Sequence, residues 1–329
     1  MNRSTGGWIS GFIGVAIFSG SLPATRVAVA GFSPLFLTGA RASIAGLIAL
    51  ALLALMRQKR PARADILPLI VVSLGVVVGF PLLTALALQR VTSAHSIVFI
   101  GLLPVATAIF GVLRGGERPP MAFWVFSLLG SALVVGHALG QGLAASPAGD
   151  LMMLGAVLVC GLGYAEGAVL SRRLGGWQVI SWALVIALPL MVPLTLLVPT
   201  PPLAQASPPA WTGLAYVSLF SMLIGFMFWY RGLARGGIAA VGQLQLLQPF
   251  LGLGIAALLL GESVSAAMLA VTLGVVACVA GARRFSAPAG GGTGAVGTDG
   301  AGGRTRTDIS VRTADFESAA STSSATPAR

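Results

Sequence analysis

Residues 242–262 read GQLQLLQPFLGLGIAALLLGE. The stretch carries no charge before Glu262, and it matches the roughly 20 residues that a helix needs to cross a bilayer. Yet Gln243, Gln245 and Gln248 fall in its first half, and Pro249 follows at once. Three carboxamides and a helix breaker near the middle of such a run are costly against hydrocarbon. They are tolerable where that part of the helix meets protein or a water-filled cavity.

Composition puts the whole chain in the same setting. Hydrophobic residues make up 56% of the 329 and charged residues 9%, against about 25% charged in a soluble domain. The mean hydropathy is +0.92. A soluble fold could not cover its surface with so few charges, so the sequence predicts a polytopic, all-α membrane protein whose first partner is the lipid bilayer. The net charge of +11 does not mark a nucleic-acid binder. The basic residues stand singly or in small groups between apolar segments, and no stripe of them alternates with aromatics. Cys160 and Cys278 each lie inside an apolar segment and read as inert packing residues, with no disulfide and no metal site. The glycine-rich GVAIFSGS and GLGIAALLLGES lack a P-loop lysine and a following strand. No cofactor is expected, and any transport runs on gradients. No signal-peptide cleavage pattern precedes the first apolar segment, which reads as a retained membrane helix.

Apolar runs define ten spans, near residues 6–25, 33–56, 67–88, 94–113, 121–139, 151–171, 177–198, 211–230, 239–260 and 264–282. With the N-terminus in the cytoplasm, the inner loops collect 13 basic residues and the outer loops two, Arg26 and Arg90. That asymmetry sets the orientation and places both termini in the cytoplasm. From residue 286 the chain turns to Gly, Ala, Ser and Thr with few large apolar side chains. Residues 286–329 are therefore expected to be a disordered cytoplasmic tail.

The opening stretch has a twin. Pro249 precedes Glu262 by 13 residues, and Pro104 precedes Glu117 by 13. The same shift of 145 residues aligns Arg90 with Arg235, Leu88 with Leu233 and Ala94 with Ala239. The chain reads as a duplicated five-helix unit, residues 7–139 and 150–283, followed by the tail. Because five is odd, the second copy enters the membrane in the opposite sense, giving an inverted repeat. Pro104 and Pro249 then sit in equivalent fourth and ninth helices. There each proline removes a backbone bond and permits a bend.

Several segments resemble the drug/metabolite transporter superfamily, in particular its ten-helix bacterial exporters with two EamA domains. The first helix ends FSGSLPATR, closing on Arg26; the second reads SPLFLTGARASIAGLIALALL, with Pro34, Phe36 and Arg41. The sixth opens GDLMMLGAVLVCGLGY and closes LSRRL, and the fourth and ninth carry the P…GE ends. The resemblance covers about residues 7–283. It implies an exporter of small metabolites or amino acids that alternates access around a midplane cavity between the repeats. Two positions depart from the family pattern. Gly161 follows Cys160 where an aromatic residue is usual, and Glu166 stands where an apolar one is common. Substrate preference does not carry over through those changes.

Polar residues within the spans are the candidates for chemistry. Arg41, near the centre of the second span, either attracts a substrate carboxylate or pairs with backbone carbonyls and holds the bundle. Glu166 lies roughly 7–8 Å past the centre of the sixth span. There it either loads and releases a proton or is a buried acid held by a neighbouring helix, by Arg172 or by Arg173. At 100° per residue, Gln245 and Gln248 share a face and Gln243 points away. The first two are therefore substrate-contact candidates, with interhelical hydrogen bonding as the alternative. Tyr164, Trp182 and Tyr230 could stack on an aromatic solute, although Tyr230 falls near an expected interfacial belt. His95 and His137 read as interfacial polar residues, and Glu117 and Glu262 as loop anchors.

An intramembrane hydrolase would want paired acids, a Ser/His couple or a metal cluster. Glu166 is the only deep acid and the histidines form no motif, so an enzyme is not expected. A secondary transporter of a small-molecule substrate is the leading expectation; a channel or a non-transporting membrane adaptor is the alternative.

Overall fold

In a bilayer an apolar run becomes a helix because a helix satisfies each backbone N–H and C=O within its own segment. The computed structural model describes residues 3–87, 90, 99–140, 146–199, 206–260 and 266–285, and all regular structure among them is helical. The expectations for His95, Glu262 and the tail 286–329 lie outside the described residues.

The first span is α1 (Arg3–Ser19) and α2 (Ser21–Ala28), the second α3 (Pro34–Leu55). The third is one rod of α4 (Arg63–Val72), a π-helical stretch Ser73–Gly79 and α5 (Phe80–Ala87). Then come α6 (Leu103–Gly115), α7 (Met121–Leu139), α8 (Pro147–Leu174) and α9 (Gly176–Leu197). The next rod joins α10 (Pro208–Ala215), a second π stretch Tyr216–Gly225 and α11 (Phe226–Gly236). Finally α12 (Ile238–Gly242), a 3-10 turn Gln243–Leu247 and α13 (Gln248–Leu260) precede α14 (Ala266–Arg284). Six described rods are long and apolar enough to cross a membrane, and Leu103–Gly115 and Met121–His137 are shorter apolar helices. Leu55, Leu67, Leu151, Leu196 and Leu273 are exposed on the outside, as lipid-facing leucines are.

Local sequence starts and stops these rods. Ser33-Pro34 and Ser146-Pro147 open α3 and α8, each serine accepting a backbone N–H three residues on while the proline occupies the first turn. Gly175 and Gly237, both at φ 95°, each make a one-residue connection that a side chain at that φ would strain. Arginine is a good helix former whose long stem reaches out of an apolar layer. The sixth and eighth rods accordingly run on through Arg172 and Arg173 to Leu174 and through Arg231 and Arg235 to Gly236, past the expected ends at 171 and 230.

The proline effect is visible in the ninth span. Pro249 has no N–H with which to reach the Gln245 carbonyl. The Gln248 N–H takes that carbonyl instead, a tighter three-residue closure that turns Gln243–Leu247 into a 3-10 segment. Pro104 acts alike: it lies in the first turn of α6, and just before it the Leu102 N–H closes on the Phe99 carbonyl. Both prolines therefore open an α-helix behind a tightened turn, rather than kinking one at its middle as expected.

Contacts between rods fall into pairs. The first span packs along the eighth (α1 with α11), and the sixth along the third (α8 with α5 and its π stretch). The second packs on the seventh (α3 with α9), the fourth on the ninth (α6 with α12), and the fifth on the tenth (α7 with α14). Shifted by 145 residues, the first π stretch, 73–79, becomes 218–224 and falls inside the second.

The α1–α11 seam is built on glycine. A Cβ on Gly7 would lie 2.5 Å from the Gly236 backbone nitrogen, and one on Gly232 would lie 2.6 Å from that of Gly11. Gly7 and Gly11 thus face Gly232 and Gly236 in two reciprocal small-xxx-small steps, which let two backbones touch where lipid supplies no hydrophobic drive.

Candidate functional site

The basic ends of the rods meet on one face. Arg173 of α8 reaches Asp65 of α4 at 2.5 Å, and Arg172 reaches Glu117 at 3.3 Å. Arg114, in the last turn of α6, bonds through Nε to Oε2 of Glu166 at 2.7 Å. Glu117 also accepts from the Ile238 and Ala239 backbone N–H groups at 2.6 and 2.7 Å. It caps α12 and so holds the fourth, sixth and ninth spans together, a loop anchor as expected. Nearby, the Arg283 guanidinium lies 4.9 Å from the centre of the Trp8 ring.

Of the partners foreseen for Glu166, the neighbouring helix is the one seen, through Arg114, and not Arg172 or Arg173. Arg172 and Arg173 lie six and seven residues along the same helix, roughly 9–10 Å away by helical rise, and they pair elsewhere. The Glu166 side chain is buried while its partner Arg114 is half exposed. Asp65, almost fully buried under its arginine, drew no notice in the sequence. Its only signal there is an acid in the first turn of a helix that follows a basic loop.

Further in, the polar groups thin out. Arg41 donates through Nη2 to the Ser221 hydroxyl at 3.3 Å. Among the described residues its buried Nε has no partner and no carboxylate pairs with it. Ser221 sits in the second π stretch, where the widened backbone displaces side chains from the regular helical pattern.

Along the same rod, Phe226, Trp229 and Tyr230 gather around Tyr164. Tyr164 lies 5.5 Å from Trp229, edge on, and 6.0 Å from Phe226; Phe18 closes the group, 5.0 Å from Phe226. The Tyr164 hydroxyl lies close to the Gln245 carboxamide and the Cys160 thiol. Gln245 is 4% exposed, yet among the described residues neither its Oε1 nor its Nε2 is in a well-formed hydrogen bond, and the Trp229 Nε1 is unpaired as well. Leaving such buried groups unmet costs about 1–3 kcal/mol each.

The other residues singled out from the sequence divide as follows. Gln243 turns back to its own helix, its Nε2 3.5 Å from the Ala239 carbonyl. Gln248 is half-buried and lies one 3-10-like turn from Gln245, so these two still share a face. Trp182 does not join this group; it lines a groove at the basic face with Arg57 and Arg60. Tyr230 is fully buried, not interfacial. Its hydroxyl donates to the Gly163 carbonyl at 3.2 Å, and its ring covers Gly167 so closely that a Cβ there would overlap it. The reason is the length of the eighth rod, which puts Tyr230 six residues inside its end. His137 is half-buried beside the Phe250 ring. Cys160 and Cys278 are buried free thiols. Trp229 and Ser221 went unnoticed, because within an apolar run nothing in sequence tells which way a tryptophan or serine faces.

A bundle of membrane-length apolar helices with polar groups held inside it is a multi-pass membrane protein. The EamA-like transporter family matches residues 5–136 and again residues 147–283, and the chain belongs to that family. It is 66% identical over 286 residues to the "Uncharacterized transporter YdeK" of Bacillus subtilis (strain 168), a match covering 87% of this chain and all of that protein. A solved structure, described only as "Crystal structure of protein", shares the fold with a TM-score of 0.73. The identity is 21%, and the match covers 85% of this chain and 99% of the other.

Proposed function

We propose that the chain is a secondary transporter that exports small metabolites or amino acids across the bacterial cytoplasmic membrane. Its ten spans form two inverted five-helix repeats, with both termini in the cytoplasm. The observation that carries this reading is the pair of groups in the bundle that are undersatisfied among the described residues: Arg41, held there by one neutral hydroxyl, and Gln245, whose carboxamide is in no well-formed hydrogen bond. A solute with an anionic group and a hydrogen-bonding body would satisfy both. The paired rod contacts named above and the coincident π stretches support the inverted repeat, since each of those pairs maps onto itself or onto another of them under exchange of the two halves.

Alternating access follows from rocking the two halves about that site. The ion pairs of the basic face, Arg114–Glu166, Arg172–Glu117 and Arg173–Asp65, close the cytoplasmic side and must part for substrate to enter. When Arg114 leaves, Glu166 is left inside the bundle without its partner, and this is where proton coupling would act.

The test is a solute screen with purified protein in liposomes. Saturable uptake of a small metabolite or amino acid, with counterflow against preloaded solute, is the expected result. Flux that never saturates and shows no counterflow would make the protein a channel, and no flux of any solute would favour an adaptor.

A further inference from the structure

The basic face carries a groove in which the transport reading uses only the Arg173–Asp65 pair. It is lined by the α3–α4 connection, with Arg57, Lys59 and Arg60, and by Arg173, Gln178 and Trp182 from α8 and α9; its volume is about 530 Å³. Asp65, the acid that also lines it, is already bound to Arg173. Among the described residues Arg57, Lys59 and Arg60 form no ion pair, so three cations face one concavity without a counter-charge. The Gln178 Oε1 is buried and unpaired among the described residues. Arg57 stands at φ 47°, the left-handed conformation that glycine adopts without strain. The chain thus keeps a cation at a backbone position where arginine is the less comfortable residue.

We propose that this groove binds a phosphate-bearing anion, with the headgroup of an anionic phospholipid as its ligand. The three cations contact the phosphate, and Trp182 packs at headgroup depth, where aromatic rings favour the membrane interface. The groove lies on the face where basic residues concentrate, and the leaflet apposed to such a face is the one rich in anionic lipid.

Full-length protein in a neutral detergent is titrated with dihexanoyl phosphatidylglycerol, with dihexanoyl phosphatidylcholine and with inorganic phosphate. Binding is read from tryptophan fluorescence and from the midpoint of thermal unfolding. The comparison protein carries Arg57→Asn, Lys59→Gln and Arg60→Gln together. Asparagine tolerates the left-handed backbone, and the other two side chains form no ion pair, so this variant keeps the wild-type midpoint without ligand. Phosphatidylglycerol binds the wild type and raises its midpoint, and the triple variant binds roughly a hundredfold more weakly, at about fivefold per cation removed. Displacement of phosphatidylglycerol by inorganic phosphate assigns the site to the phosphate group itself; failure to displace assigns it to the lipid headgroup. Equal affinity of the triple variant and the wild type for phosphatidylglycerol, or binding of phosphatidylcholine as tight as that of phosphatidylglycerol, overturns the proposal.

Discussion

Arg114 and Glu166 form a 2.7 Å ion pair between α6 and α8, and the acid is buried while the base is half exposed. The asymmetry matters because the buried partner depends on the pair more than the exposed one does. Glu166→Gln keeps the shape and a hydrogen-bond acceptor but cannot titrate. Solute counterflow should persist in this variant, and accumulation driven by a pH gradient should fall to background. Loss of both activities with normal protein levels would place Glu166 in substrate binding rather than in coupling.

The neighbouring pair should matter less. Glu117 keeps two backbone N–H donors when Arg172 is removed, so Arg172→Ala should cost no more than about 1 kcal/mol. Arg114→Ala leaves Glu166 without its counter-ion and should lower the unfolding midpoint further. Thermal unfolding of the two variants in the same detergent compares them directly, and the reverse order would refute this account of the face.

Arg41 has one hydroxyl for company. If it served mainly to hold the bundle, Ser221→Ala should damage the protein as much as Arg41→Gln. We expect instead that Ser221→Ala changes stability by about 1 kcal/mol or less. Arg41→Gln should keep near-normal abundance and weaken binding of an anionic solute by roughly tenfold or more, since hydrogen bonds between charged groups are worth about 1.5–3 kcal/mol. Membrane abundance and solute KM, measured together, separate the two roles.

Single cysteines at positions 243, 245 and 248, in a background lacking Cys160 and Cys278, test the carboxamide face. A small polar thiol reagent should label 248 fastest and 245 next, with substrate protecting both. Position 243 should resist, because Gln243 is fully buried. Fast labelling at 243 without protection by substrate would move the cavity elsewhere.

The glycine seam gives a packing test. Gly232→Ala would drive a methyl group into the Gly11 backbone and should destabilise by about 1–3 kcal/mol, as overpacking does. Gly136, with open space around it, should accept alanine with little change. Equal thermal midpoints for the two variants would mean that α1 and α11 can separate freely.

The sequence by itself determined the membrane setting, the family and the approximate place of most rods, because hydrocarbon imposes its requirement on every residue of a span. The serine-proline starts were equally local. Partnership was decided by the tertiary structure. Which of three arginines reaches Glu166 depends on where α6 ends beside α8, and hydropathy says nothing about that. Tyr230 moved from interface to core because two arginines prolonged its helix. The weakness at Pro249 was legible, but its form was not: the 3-10 turn arises when the Gln248 N–H claims the carbonyl that proline leaves free. Tyr164, which lies beside Gln245, comes from the sixth span, far off in the chain, and only packing brings it there.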